Sequence, residues 1–439
     1  MKERWMRKVL VGIVLLVSAL LLCACSQEKD STKKKNEYSV LQGKKITFLT
    51  SQNKYFDEYS LMAAVVKEIY DCDVEFQVVP DDKYTAFLKL KLATTEVPDV
   101  FEYNVPMQNQ EIEASKYCID LSKERWVSRL VKPGAVKDAK DGAIYAMPKV
   151  SSSGYMAVYY NKRVLKKCGI DKPHPKTYQQ FLTILETVKQ KGDGVIPFYE
   201  TNADAWTTQT FMNCGYSIAL ADRAKEIFGK LAEDKMKWTQ VPEFEQILID
   251  YANLMKAGYV NEDQASVGYK SAIDMIGTGK AAMYLTSEMC ASDIMAKYPG
   301  TELGAFVIPY ADKEVLPVSK SVTGLFVPKD GKQTEVAKAF LNVWSLPKIQ
   351  NVYFFRQGSL AAFTDTRGGK IINCLKQLKD EYMVTGHYSY PMNDQMPEYN
   401  AVFEKMWKEY GLVLSEEQTP KEALINVQNR FELYRETRR

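Results

Sequence analysis

Histidine is nearly absent: His174 and His387 are the only two among 439 residues, and His174 stands between two prolines. Imidazole-based nucleophile activation therefore has almost no candidates. No GxSxG, HExxH or comparable catalytic signature occurs. The eight cysteines contain no CxxC pair and no neighbouring histidine, which sets zinc aside. The "DDK" and "NDQ" turns offer oxygen ligands without the spacing of a calcium loop, so neither a metal nor another cofactor is expected. An excess of one charge is also missing. The chain carries 58 Lys/Arg and 55 Asp/Glu, and residues 1–24 hold four basic and one acidic residue, leaving 54 of each beyond them. That balance argues against nucleic acid as a main partner. Finally, no apolar run reaches the ~20 residues that cross a bilayer. The run Val9 to Leu22 has 14.

That short run has its own logic. Arg4, Arg7 and Lys8 precede it and small residues follow, in the order of a secretory signal peptide. The next stretch, "LLLCACSQEKDSTKKKN" at 20–36, resembles the lipobox of bacterial lipoproteins. Ala24 before Cys25 is small, whereas the Leu22 before Cys23 is bulky, so Cys25 is the expected acylated residue. The expectation is a signal peptide over 1–24 and a polar, flexible tether over 25–40. Six cysteines then remain, 46 to 84 residues apart, either as free thiols or as one or two disulfides.

The remaining ~400 residues suffice for two or three domains, and 46% hydrophobic with 26% charged residues is a globular composition. "KKITFLT" (44–50) and "DVEFQVV" (73–79) read as buried strands around a helix from Tyr59 to Tyr70, whose stripe is Leu61, Met62, Val65, Val66 and Ile69. A helix over Tyr84 to Thr95 then leads to "PDVFEYN", a third strand beside the first in a parallel α/β sheet. Further strands are expected at Ile144 to Met147, Met156 to Tyr160, 279–286 and 303–310. Thr177 and Gln180 form a capping-box pattern before a helix that Gly192 ends. Pro242 opens another helix, and helical patterns dominate the tail at Tyr399 to Tyr410 and Pro420 to Tyr434.

Five blocks in order are similar to the extracellular solute-binding protein family 1 of ABC importers, the maltose-binding-protein-like group. They are "PDVFEYN", "YAMPKVSSSGYMAVYYNKRVLKKCGIDKPHPKTYQQF", "GTGKAAMYLTSEMCASDI", "GLFVPKDGKQTEVAKAFLNVWSLPKIQNVY" and "TPKEALINVQNRF", spread over about 44–431. The resemblance implies a two-lobe, periplasmic-binding-protein-like α/β fold with a ligand cleft and three hinge crossovers near 151–155, 286–289 and 346–350. The lobes would be 41–152 with 288–346, and 153–287 with 347–439. It further implies a monomeric, non-enzymatic receptor that captures a carbohydrate for ABC permease subunits. The receptor would be held on the outer face of the cytoplasmic membrane by a lipid on Cys25. A lipoprotein that signals to a sensor kinase, or a secreted glycosidase using two carboxylates, are the competing readings.

A sugar site needs aromatic platforms for C–H faces and polar side chains for paired hydroxyls. Most of the 27 Tyr, 18 Phe and 6 Trp must be core. The matched blocks, and the rule that ligands bind at the carboxyl ends of strands, select a few positions. Gln52, Asn53 and Asp57 follow the first strand, where a plain turn is the bland alternative. Tyr103 and Asn104 follow the third, where a strand cap is. Ser153 and Tyr155 would line the first crossover, and Asp204 and Trp206 in "NADAWTTQ" would face the cleft. Arg356, Asn393 and Tyr399 complete the set with Glu288 and Met289. Met289 falls where the family usually places a stacking Trp, so the resemblance implies that this platform is lost.

Overall fold

The computed structural model describes residues 37–94, 96–106, 109–151, 154–355, 361–367 and 371–437. The signal peptide, Cys25 and most of the tether lie outside these residues, as do Ser153 and Arg356. The described chain starts docked: Glu37 pairs with Arg125, Tyr38 packs edge-on against Tyr70 at 5.8 Å, and Leu41 is fully buried. Residues 38–40, assigned to the tether from polarity, thus belong to the folded body because Tyr38 and Leu41 reach its core.

In chain order the first elements are β1 (Lys44–Ser51), α1 (Asp57–Tyr70), β2 (Cys72–Val79), α2 (Asp81–Leu92), β3 (Val100–Val105) and β4 (Ala146–Pro148). There follow β5 (Ala157–Asn161), α3 (Tyr178–Lys191), β6 (Ile196–Phe198), α4 (Ala205–Leu220) and α5 (Ala224–Ala232). Next come α6 (Pro242–Lys256), α7 (Tyr269–Thr278), β7 (Ala281–Thr286), α8 (Met289–Lys297), β8 (Leu303–Phe306) and β9 (Leu316–Pro317). The last are β10 (Val322–Phe326), α9 (Thr334–Trp344), α10 (Pro347–Phe354), β11 (Tyr388–Ser389), α11 (Asn400–Leu414) and α12 (Pro420–Glu436).

Two sheets carry two separate apolar cores. The first runs β2-β1-β3-β10-β4, with β1 parallel to β2 and β3, and β10 antiparallel to β3 and β4. Parallel pairing follows from the α1 crossover and buries both faces of β1. Gly324 makes the late insertion of β10 possible, since a Cβ there would stand 2.9 Å from Ala146 Cβ and from Val105 Cγ1. The second sheet runs β6-β7-β5-β8, with β5 antiparallel to both neighbours, while β9 and β11 form a small separate pair. Local signals hold at the ends of α3: Thr177 accepts from the Gln180 N–H at 3.2 Å and Gly192 caps the far end. The Gln180 side chain accepts from Lys176 N–H, one residue before the expected partner. A full capping box stands instead at Thr419 and Glu422.

The cores correct the expected division of the chain. The first core gathers residues from Leu41 to Val150 and from Val322 to Phe363; the second takes Tyr155 to Val318 and Cys374 to Phe431. The segment 288–318 belongs to the second lobe because β8 pairs with β5 and Cys290, Ala291 and Ile294 of α8 are buried there. Ile349, Tyr353 and Phe354 of α10 belong to the first lobe, packed with α1. The cores therefore change over between Val150 and Tyr155, between Val318 and Val322 and between Phe363 and Cys374, rather than at 286–289 and 346–350. Cys72, Cys118, Cys168, Cys214, Cys290 and Cys374 are buried free thiols.

Candidate functional site

The first lobe builds its share of the cleft at the carboxyl ends of β1 and β2, where a parallel sheet leaves a crevice. Asn53 follows β1, and its N–H donates to Asp81, the first residue of α2, at 3.1 Å. Lys54 lies over the Tyr103 ring at 5.5 Å. Burial lowers the Lys54 ammonium from its usual range, opposed by the charges of Glu102 and Asp81. Deeper in, Lys149 donates to Tyr59 Oη at 3.1 Å and to Glu102 Oε1 at 3.2 Å, among the rings of Phe56, Tyr59 and Tyr353. Fully buried Glu102 also accepts from Thr50 at 2.6 Å and from Tyr59 at 2.9 Å. A third pair, Lys89 and Glu111 at 3.1 Å, lies beyond Tyr103.

The second lobe answers with Asp204, Trp206, Tyr269, Asp293 and Glu404. Trp206, in the first turn of α4, and Tyr269, which opens α7, have ring centroids 5.3 Å apart at 49°. Tyr269 Oη donates to Asp293 Oδ2 at 2.6 Å. Burial pushes the Asp293 carboxyl up to about 7, against the pull of that hydrogen bond and of Lys149. Asp204 Oδ2 accepts the Tyr269 N–H at 2.7 Å and meets Asn53 Nδ2 of the first lobe at 3.4 Å.

Three facing points result. Asp81 feels the charge of Asp204, Asp293 that of Glu58 and Lys149, and Glu404 that of Glu111, Lys89 and Lys54. Such a surface offers carboxylates that accept hydrogen bonds from hydroxyls, ammonium groups that donate, and the partly exposed Trp206 ring, backed by buried Tyr269, for apolar faces. Among the described residues no group of three or more His, Cys, Asp or Glu is placed to hold a metal ion. Nor is any helix among them long and apolar enough to cross a membrane.

Of the residues selected from the sequence, the fold brings Asn53, Asp204 and Trp206 together. Gln52 is an exposed turn residue whose N–H donates to Val79 O, and Asp57 is exposed in the first turn of α1. Tyr103, 4% exposed, is no open platform: Lys54 covers its ring at 5.5 Å, Tyr84 stacks on it at 6.1 Å, and its hydroxyl lies 3.2 Å from Glu111. Asn104 is half-buried opposite Thr323 in β10. Glu288 accepts from the Tyr155 N–H at 3.2 Å, so this pair fastens the first crossover, and burial pushes Glu288 up to about 7. Met289 packs against the second core. Asn393 bonds to Gln209 and Asn213 of α4.

Tyr399 corrects an expectation outright. It stacks on Phe431 at 4.8 Å and donates to Ala232 O, as a core residue of the second lobe. Lys54, Asp81, Lys149, Tyr269, Asp293 and Glu404 were missed. Asp81 carried a signal, standing two residues past a strand's carboxyl end; Tyr269 and Asp293 sit on ordinary amphipathic helices and carried none.

The profile of the bacterial extracellular solute-binding proteins matches residues 53–351, about two-thirds of the chain. The chain belongs to this family. Similarity extends to a multiple sugar-binding protein of Streptococcus mutans, 22% identical over 379 residues that cover 84% of this chain and 85% of that one. Among solved structures, a chitin oligosaccharide binding protein superposes with a TM-score of 0.73 at 18% identity, over 88% of this chain and 98% of that one. A Bacillus licheniformis sugar transporter protein in complex with stachyose gives 0.72 at 20% identity, with the same coverages. At such identities the likeness establishes the two-lobe fold. This solute-binding protein therefore has the expected α/β architecture, and its family is one of extracellular receptors.

Proposed function

We propose that this solute-binding protein captures a neutral oligosaccharide between its lobes and delivers it to an ABC importer, performing no chemistry of its own. The observation that carries the reading is the Trp206–Tyr269 pair, flanked by Asp204 and Asp293 and faced by Asn53, Lys54 and Asp81. The partly open Trp206 ring, backed by the buried Tyr269 and ringed by carboxylate and amine groups, matches the alternating apolar faces and hydroxyl rims of sugars. It also supplies the platform that Met289 does not. The matched relatives named for sugars point the same way. Capture works by population shift: a ligand that touches both walls stabilises the form with the lobes together, bending at the three passages. Acylated Cys25 keeps the receptor on the outer membrane face near its permease, with the polar stretch from Ser26 as tether.

A thermal-shift screen with raffinose, stachyose and chitin oligosaccharides, followed by calorimetry on any hit, tests the reading. Binding to the native state alone raises its apparent stability, by about 2.7 kcal/mol at a hundredfold excess over Kd. A panel in which no carbohydrate shifts the transition, while another solute class does, overturns the choice of ligand.

A further inference from the structure

Asp204 holds an unusual post. It is the N-cap residue of α4, where its carbonyl accepts the Thr207 N–H at 2.9 Å, yet its side chain makes no capping bond to that helix. The carboxylate turns away to cap α7, accepting the Tyr269 N–H at 2.7 Å. Gly268 makes room: a Cβ at that position would lie 2.6 Å from Asp204 Oδ2. The positive end of α7 favours the charge there. One residue thus starts both helices, by its main chain the one bearing Trp206 and by its side chain the one bearing Tyr269. The relative placement of the two rings depends on it.

The same oxygen is also a point of lobe-to-lobe contact. Asn53 Nδ2 reaches Asp204 Oδ2 at 3.4 Å, and Asn53 is itself held by its N–H to Asp81 at 3.1 Å. A continuous polar path therefore runs from α2 of the first lobe through Asp81, Asn53 and Asp204 to the N-terminus of α7.

We propose that Asp204 acts as a positioning residue in the ligand-free protein: it fixes the Trp206–Tyr269 pair and, through Asn53, latches the empty protein with its lobes together. The latch uses the hinge closure of the proposed function but needs no ligand. Its test therefore runs on ligand-free protein, and its failure leaves the carbohydrate reading untouched.

The ligand-free protein and its Asn53→Ala, Asp204→Ala, Asp204→Asn and double Ala variants are compared by small-angle scattering and tryptophan emission, with Trp206→Phe isolating the contribution of Trp206. One hydrogen bond of this kind changes a two-state ratio by about fivefold. Asn53→Ala is expected to raise the radius of gyration without altering far-UV circular dichroism. Asp204→Ala is expected to do the same and also to shift Trp206 emission, and the double variant to open no further than either single one. Asp204→Asn, which keeps an acceptor for Tyr269, restores the emission. Gly268→Ala, which crowds the carboxylate without removing it, reproduces the opening and guards against a misfolded Asp204→Ala. An unchanged radius for Asn53→Ala, or effects that add in the double variant, overturns the latch; unchanged Trp206 emission in Asp204→Ala overturns the positioning role.

Discussion

The two walls of the cleft are built on opposite electrostatic plans. On the first lobe the acidic groups come with lysines: Glu102 with Lys149, Glu111 with Lys89, and Asp81 within the field of Lys54. On the second, Asp204, Asp293 and Glu404 form no ion pair among the described residues and instead meet hydroxyl, amide or open cleft. The aromatic groups divide likewise. Phe56, Tyr59 and Tyr353 enclose the protein's own lysine, whereas Trp206 stands half-buried beside carboxylates with the buried Tyr269 behind it. The first wall is thus internally satisfied and stiff, and the second holds unspent hydrogen-bonding capacity for a ligand. Substitutions in the first should cost stability and those in the second affinity.

The largest effect should come from Glu102→Ala. It strands the Lys149 ammonium, 11% exposed, among aromatic rings and removes the acceptor of Thr50 and Tyr59. Breaking a buried pair from one side costs about 3 kcal/mol, read as a lower urea midpoint. Asp293→Ala on the facing wall should cost less than about 1 kcal/mol. Equal losses from the two would abolish the contrast.

Next in size is Trp206→Ala, for which calorimetry with a sugar found by screening should show affinity falling about thirtyfold, as truncating a central aromatic anchor does. The urea midpoint should barely move, since the ring is only partly buried. A large stability loss with unchanged affinity would make Trp206 a core residue and leave the second wall without its platform.

The plans also separate by pH. In the second lobe burial pushes Glu200 up to about 8 and Asp394 up to about 6, alongside Glu288 and Asp293 near 7. A folded value above the unfolded one means that the folded lobe holds the proton more tightly. The stability gained is fully present below the ordinary carboxyl value and is lost as pH rises toward 8. Calorimetry at pH 5.5 and 8.5 should therefore show the second lobe melting several degrees lower at the higher pH. Glu200→Gln should flatten that dependence. A transition that rises with pH over this window would contradict the burial of these carboxyls.

How much of this was legible before the structure depends on range. The β1, α1 and β2 register, the start of α3 at Thr177 and the block around Asp204 and Trp206 are local patterns, each decided by residues within about ten positions. β8 is equally clear as a strand, but nothing local says which sheet it joins. Its pairing with β5, over 140 residues earlier, moved 288–318 to the other lobe. Tyr269 and Asp293 were invisible for a related reason. Helical periodicity tells which face is polar, not which polar face meets the opposite lobe, and the same gap let Tyr399 pass for a cleft residue.

Tyr103 gives the smallest expected effect and the sharpest comparison with Trp206. Both were selected from the sequence as aromatic platforms at the start of a cleft. Tyr103 has Tyr84 on its ring at 6.1 Å and Lys54 over it at 5.5 Å, with its hydroxyl 3.1 Å from Thr85 and 3.2 Å from Glu111. A ring so covered has no free face for a sugar, and its work is to hold Lys54 and Glu111 in place. Tyr103→Phe keeps the ring contacts and removes only the hydroxyl. Affinity should stay within about twofold and stability fall by about 1 kcal/mol. If Tyr103→Phe instead weakened sugar binding as much as Trp206→Ala while leaving stability intact, the ligand would reach the first wall's aromatic layer and the division between a stiff wall and a receptive one would fail at its centre.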